Sequence, residues 1–541
     1  MDDKDYSDAI AERLSAEIRS QESLHKGLYR DLLKIAASPS VHEEDFHTTF
    51  LKALSRSGIE TRLQNAVFHL LRTKGPEEWV RPADRNKKKE PLSYIVKIQT
   101  CWEKRILKSL NAMANELGLC LAKIRSQEEQ DEISNKWSEL STLDLNLSLI
   151  RPVYAPKDFL EVLAQITSPN AVDLPGKTDN GANHSHTWGM IKVSFATLSL
   201  KELREKFIEI SKIEPHLGVN PLLASTSEPN TTMESERYSL GTKVLKCNHA
   251  PLSQEFLKSG SPHSLRGKIW SQVLGSEVGE KGIEYYESLK ASVIRNDILV
   301  DKLIIKDIQL TASNDDNYFV FEDTILQVLL CFSRDTEVLT KFQYRSTTPA
   351  KATLRSIGMS KNMNGNPHGN TVIYPPNGVI PFHGFAMYVA PFSYIYDNPV
   401  QLYYTFRAFY LQFACKLHEI SSDSQGILSL CSTFETLLQS QEPDLWTHFV
   451  NLDVTQPLRC VFRWIIRGFS GHLPPEQLLY LWDVVLAYDS MEIFPLLAAV
   501  ILSYRKDNLM MVSTLQGIEA VLADLSSLPI IPLLQLALEK R

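Results

Sequence analysis

A chain of 541 residues, 43% hydrophobic and 22% charged, has the composition of ordinary globular domains, and its length predicts about two to four of them. The formal net charge of -7, from 57 basic against 64 acidic side chains, argues against a general nucleic-acid or polyanion binder, which carries a basic surplus. Seven cysteines, Cys101, Cys120, Cys247, Cys331, Cys415, Cys431 and Cys460, are scattered without Cys-x-x-Cys spacing, a pattern of reduced cytosolic thiols rather than of a disulfide framework or a zinc finger.

The acidic start Met1-Asp2-Asp3-Lys4-Asp5 lacks the apolar core of a secretory signal. From about residue 8 to 150 the apolar residues recur in helical steps: Phe46, Phe50 and Leu54, then Leu63, Val67 and Leu70. Ile106, Leu110, Met113, Leu117, Cys120 and Ile124 continue the pattern with alternating steps, which predicts either a helical bundle or a short coiled coil. The charged run from Arg81 to Lys89 reads as a solvated loop between Pro82 and Pro91. Thr178–Thr187 and Asn220–Tyr238 read as linkers, being rich in polar turn residues and poor in periodicity. Beyond 390 the helical signal strengthens. Leu402, Phe406, Phe409, Phe413 and Leu417 predict one long helix; Leu458, Val461, Ile465 and Phe469 predict another, ended by Gly471. Pro474 and Pro475 suit the first turn of a helix carrying Leu478, Leu481, Trp482 and Val485. The apolar windows Phe494–Leu502 and Leu528–Leu538 are far short of the ~20 residues that span a bilayer. The expected fold is all-α, cytoplasmic, with membrane association only through partners.

Three separated motifs then give the second half an identity. They are Gly260-x-Pro262-x-x-Leu265-Arg266-Gly267-x-Ile269-Trp270, Ile304-x-x-Asp307-x-x-Leu310-Thr311 and Leu481-Trp482-Asp483. Their order and helical setting resemble the TBC-domain family, all-helical proteins that bind Rab-class GTPases and accelerate GTP hydrolysis. The periodicity and the linkers give an N-terminal helical region (1–177) and an irregular linker with a short helical stretch (178–240); the resemblance covers roughly the C-terminal half and implies a TBC domain (241–510), followed by a C-terminal helical tail (511–541). The Asn-, Gly- and Pro-rich stretch at about 340–377 looks like an insertion forming a long surface loop.

GTP hydrolysis asks a helper protein mostly for positioning and for positive charge opposite the phosphoryl oxygens, and an arginine finger is worth ~10³–10⁵ in rate. The resemblance implies an Arg where this chain has Leu310 and a Gln where it has His383, within Pro381-Phe382-His383-Gly384. Leucine has neither charge nor donor. Imidazole can both donate and accept, so His383 is either a water-orienting group or a surface or capping residue. Arg345 and Arg355, inside the insertion, are poor mounts for a replacement finger. No confident catalytic residue, cofactor or metal follows. Arg266, Asp307, Thr311 and Gly384 are the candidates for GTPase binding by resemblance, with Arg266 serving either the partner surface or a neighbouring carboxylate. Trp270 and Trp482 read as core. Two functions are expected to compete: a Rab GTPase-activating protein in membrane trafficking, acting weakly or unconventionally on the GTP-bound state, and an inactive Rab-binding adaptor or helical scaffold.

Overall fold

The computed structural model describes residues 11–12, 14–16, 22–37, 46–73, 93–166 (except 144), 189–210 (except 194 and 196), 231–342 and 375–539 (except 453–455). Helices dominate, and among the described residues the sheet is a single antiparallel pair, Ala122–Ile124 against Asn296–Ile298, in the register Ala122 to Ile298. The all-α expectation holds. The apolar window Phe494–Leu502 lies in a buried helix, Ile493–Tyr504, and the window to Leu538 forms the helix Ile530–Leu538. No described helix is long and apolar enough to cross a membrane.

One hydrophobic core runs from Ile95 to Leu538, so residues before and after 240 pack together. The strand pair shows how. Arg125, just past its first strand, places its guanidinium on the carbonyl oxygens of Val293 and Asn296. Those carbonyls end the helix Glu280–Arg295, where a cation complements the helix dipole. A second tie is Glu435, whose carboxylate accepts the backbone N–H groups of Met190 (2.6 Å) and Ile191 (3.1 Å). Further out, Arg72 of the helix Ile59–Thr73 donates to the Val273 carbonyl and pairs with Asp489 at 2.9 Å.

The centre of the C-terminal half is aromatic. Trp482 stacks on Phe409 with ring centroids 4.6 Å apart and on Trp270 at 6.4 Å. Beside them the Asp483 carboxylate is held by Arg266 Nη2 (3.0 Å), Trp270 Nε1 (2.6 Å) and the Ser261 N–H (3.3 Å). A buried charge needs this degree of saturation to be tolerated.

Several sequence expectations change. The heptad-like run breaks because the helix Ser93–Glu116 stops at Gly118, which takes a left-handed φ of 64°, and Ile124 lies on a strand. The helix expected to reach Phe469 ends at Ile466; Gly468 and Phe469 are both left-handed, and the Gly468 carbonyl is fixed by Trp482 Nε1 at 3.0 Å. The long helix from 402 to 417 is two pieces, Pro399–Gln412 and a 3-10 turn Ala414–Leu417. The later part of the expected Asn220–Tyr238 linker is helical, within Thr231–Cys247. Pro475 does open the helix Pro475–Tyr488. The stretches 81–89 and 178–187, and Arg345 and Arg355, lie outside the described residues.

Candidate functional site

The helix Leu299–Leu310 carries three of the motif positions, Ile304, Asp307 and Leu310. Leu299, Val300, Leu303, Ile304 and Ile308 bury its inner face, while Asp301 near its start pairs with Arg334. Asp307 lies on that inner face, one turn before the helix ends, and is 3% exposed. Its Oδ1 accepts the Gly384 N–H at 2.6 Å and its Oδ2 the Ala386 N–H at 2.8 Å. The carboxylate thus caps, from another part of the chain, the 3-10 turn Phe385–Tyr388. Gly384 makes the approach possible with φ at 103°, a region closed to most side chains. Thr311 closes the helix, its Oγ1 donating to the Asp307 carbonyl at 2.5 Å. Leu310 is left on the rim, 40% exposed.

His383 sits on the other side of the clamp. Its N–H donates to the Tyr154 carbonyl at 3.0 Å, and the Tyr154 ring stacks on Phe382 at 5.8 Å. Residues ahead of the C-terminal half therefore prop the loop that carries position 383. The imidazole is half-buried, with Nδ1 3.7 Å from Asp307 Oδ1, beyond hydrogen-bond reach. Burial, and then the charges of Arg467 and Arg463, hold its pKa below the usual histidine value. Both effects favour the neutral ring.

Arg467 was not legible as a site residue. It follows the helix Pro457–Ile466, and its Nη2 donates to the His383 carbonyl at 3.2 Å. The guanidinium lies over Gly384 so closely that a Cβ there would collide with it. The mount is rigid: the Ile466 carbonyl accepts from the buried Tyr388 hydroxyl at 2.5 Å, and the Arg467 N–H bonds back to the Arg463 carbonyl at 3.3 Å. Arg467 Nε, His383 Nδ1 and His472 Nε2 are all enclosed without a hydrogen-bond partner among the described residues. Burial, then Arg467 and Arg463, push the His472 pKa down to about 3.

The structure thus brings Asp307, Thr311, Leu310, His383 and Gly384 together and leaves Arg266 apart. None of the four binding candidates presents its side chain to solvent: Arg266, Asp307 and Thr311 are buried, and Gly384 has none. Of the two roles open to Arg266, the structure shows the carboxylate one. Arg266 serves a carboxylate, Asp483; Asp307, Thr311 and Gly384 form the scaffold beneath Leu310 and His383. Arg467 escaped detection because it trails an apolar helix stripe, and only the fold places it next to Gly384. Tyr154, 229 positions earlier than His383, offers no local signal at all.

A family model and a relative of known family match the chain. A model of the Rab-GTPase-TBC domain matches residues 382–510. The protein named TBC1 domain family member 19, from Homo sapiens, is 44% identical over 518 residues, covering 95% of this chain and 95% of that protein. The crystal structure of the Chlamydomonas flagellar RabGAP TBC domain aligns with a TM-score of 0.37 and 14% identity, covering 64% of this chain and 98% of that one.

Proposed function

The chain belongs to the Rab-GTPase-TBC family, and from that premise we propose that it engages a Rab-type small GTPase in the GTP-bound state and accelerates hydrolysis weakly and by an unconventional route. The observation that carries this reading is the Asp307 clamp on Gly384 and Ala386. It supports a retained site architecture, because it holds the helix end at 310 and the loop at 383 in fixed relation. The side chains mounted there have changed. Leu310 brings no charge to a developing phosphoryl anion, and a neutral His383 brings at most a hydrogen bond.

Losing an arginine finger removes about 10³-fold or more of rate, while binding rests on other anchors and survives. A Rab panel loaded with GTP, assayed for association and for single-turnover hydrolysis, tests the proposal. Wild type is expected to bind at least one member and to speed its hydrolysis far less than Leu310→Arg combined with His383→Gln. Absence of association with every member would sink it. Binding with no acceleration by wild type would establish the adaptor reading.

A further inference from the structure

Three enclosed, unpartnered nitrogens stand beside a capped turn: Arg467 Nε–H is a donor, and each imidazole nitrogen donates in one of its two tautomers. Arg467 Nε, His383 Nδ1 and His472 Nε2 each lack a hydrogen-bond partner among the described residues. A buried polar atom left unpaired loses its water without a replacement bond, which is costly. The three residues share a neighbourhood: Arg467 Nη2 bonds the His383 carbonyl, and the His472 N–H donates to the carbonyl of Phe469, two positions past Arg467, at 3.1 Å. The backbone supporting them is unusual. Gly468, Phe469 and Gly471 all take left-handed φ values, of 55°, 67° and 76°. A bulky residue such as Phe469 adopts that region only when its surroundings impose it, and such outliers cluster at functional positions.

Asp307, the neighbouring carboxylate among the described residues, is already committed. Asp307 uses Oδ1 and Oδ2 on the backbone of Gly384 and Ala386, and it forms no ion pair with Arg467 within 4 Å. Arg467 therefore sits beside a negative charge that does not saturate its guanidinium, with its pKa drawn below the usual value mainly by burial. A planar fork with free N–H groups, backed by imidazoles, suits a tetrahedral oxyanion.

We propose that Arg467, with His383 and His472 beside it, forms a phosphate-accepting site that supplies the guanidinium missing at position 310. That the phosphate is the terminal one of a bound GTPase's nucleotide rests on the proposed function above. Arg467 meets the demand that a floppy insertion cannot: it stands at the end of a packed helix, where its head group can be held within the ~0.5 Å that transition-state contacts need. No bond to the protein forms or breaks in this role. The cation offsets charge on the phosphoryl oxygens while water attacks.

Two measurements on the full chain test this. In the first, orthophosphate is titrated at constant ionic strength while the imidazole resonances of His383 and His472 are followed by NMR. Saturable shifts in the wild type, weakened tenfold or more in Arg467→Gln, are expected. Imidazoles unmoved by phosphate in the wild type overturn the inference, whether or not the variant folds. In the second, single-turnover hydrolysis by a bound Rab is compared for wild type, Arg467→Lys and Arg467→Gln, with melting temperatures as the folding control. Loss of most of the wild-type acceleration in both folded variants, with the Kd for GTP-loaded Rab shifted less than threefold, supports the role. Acceleration that survives both substitutions overturns it, as does wild-type binding without acceleration. If no Rab binds, the proposed function fails while the phosphate titration still decides whether the site accepts the anion.

Discussion

Two buried aspartates lie at the heart of the C-terminal half and are treated very differently. Asp483 receives Nε and Nη2 of Arg266, the Trp270 indole and the Ser261 N–H. Asp307 receives two backbone N–H groups at 2.6 and 2.8 Å, and its nearest imidazole nitrogen stands 3.7 Å away. Burial raises the pKa of both, opposed chiefly by Arg266 for Asp483 and chiefly by the Gly384 and Ala386 N–H groups for Asp307. A carboxylate that consumes its own guanidinium is scaffold. One that clamps a loop and leaves a neighbouring guanidinium undersatisfied keeps charge available for something else.

The largest effect should come from breaking the saturated pair. Asp483→Asn strands the Arg266 charge in the core and should cost about 3–5 kcal/mol of unfolding free energy, measured in urea. A cost near that of a surface substitution would erase the contrast between the two aspartates. Asp307→Ala orphans two buried N–H groups and should cost about 2–4 kcal/mol. Unlike the first variant, it should also speed hydrogen exchange at Gly384 and Ala386 far more than at Trp270. Uniform acceleration across the core would mean that Asp307 is general scaffold too.

The pH dependence separates them further. Asp307 is pushed up to about 6 by burial, from an ordinary carboxyl value of 3.8, and Glu435 to about 7, from 4.5. For a raised carboxyl the folded state holds the proton longer than the unfolded state. Stability from each group is therefore fullest below about 4 and falls as pH rises through 6 or 7. The advantage of wild type over Glu435→Gln should shrink by on the order of 2–3 kcal/mol between pH 4 and pH 8. The comparison with a variant matters because the buried His472 and His418, pushed down to about 3 and 4, impose the opposite slope below pH 6.5. A difference that is flat with pH would show that Glu435 is ionised at neutrality as readily as a surface glutamate.

How far the sequence went follows the same division. The all-α architecture was legible because helical periodicity is local, as in Leu478, Leu481 and Trp482 behind Pro475. Helix ends were less legible. Cys120 and Ile124 fit a heptad by spacing, yet Gly118 turned the chain and strand pairing with Asn296 claimed Ile124, a contact 172 positions away. The motif positions Asp307 and Gly384 could be named, but not the bond between them. Arg266 could not be assigned between surface and core until Asp483, 217 positions on, appeared beside it. Arg467 and Tyr154 were invisible for the same reason: their significance is wholly a matter of long-range contact.

The smallest stability effect belongs to the position with the most functional interest. Leu310 ends its helix at 40% exposure, with Thr311 rather than Leu310 providing the closing hydrogen bond. Leu310→Arg should therefore change unfolding free energy by no more than about 0.5 kcal/mol, the range of ordinary surface substitutions. A cation at a helix C-terminus is even mildly favourable. Hydrolysis by a bound GTPase should nevertheless rise, because the clamp already holds the backbone at 310 and 383 in place and only the charge is lacking. The rise should be smaller than the full finger effect of ~10³–10⁵, since Arg467 already contributes a guanidinium nearby and two like charges around one phosphate do not add independently. Arg467→Gln in the Leu310→Arg background sharpens the point. If Arg467 is the resident cation, its loss there should cost less than in the wild type, because the new arginine takes over part of the same oxyanion. An equal cost in both backgrounds would place the two guanidinium groups on different partners and would return Arg467 to the scaffold beside Asp307.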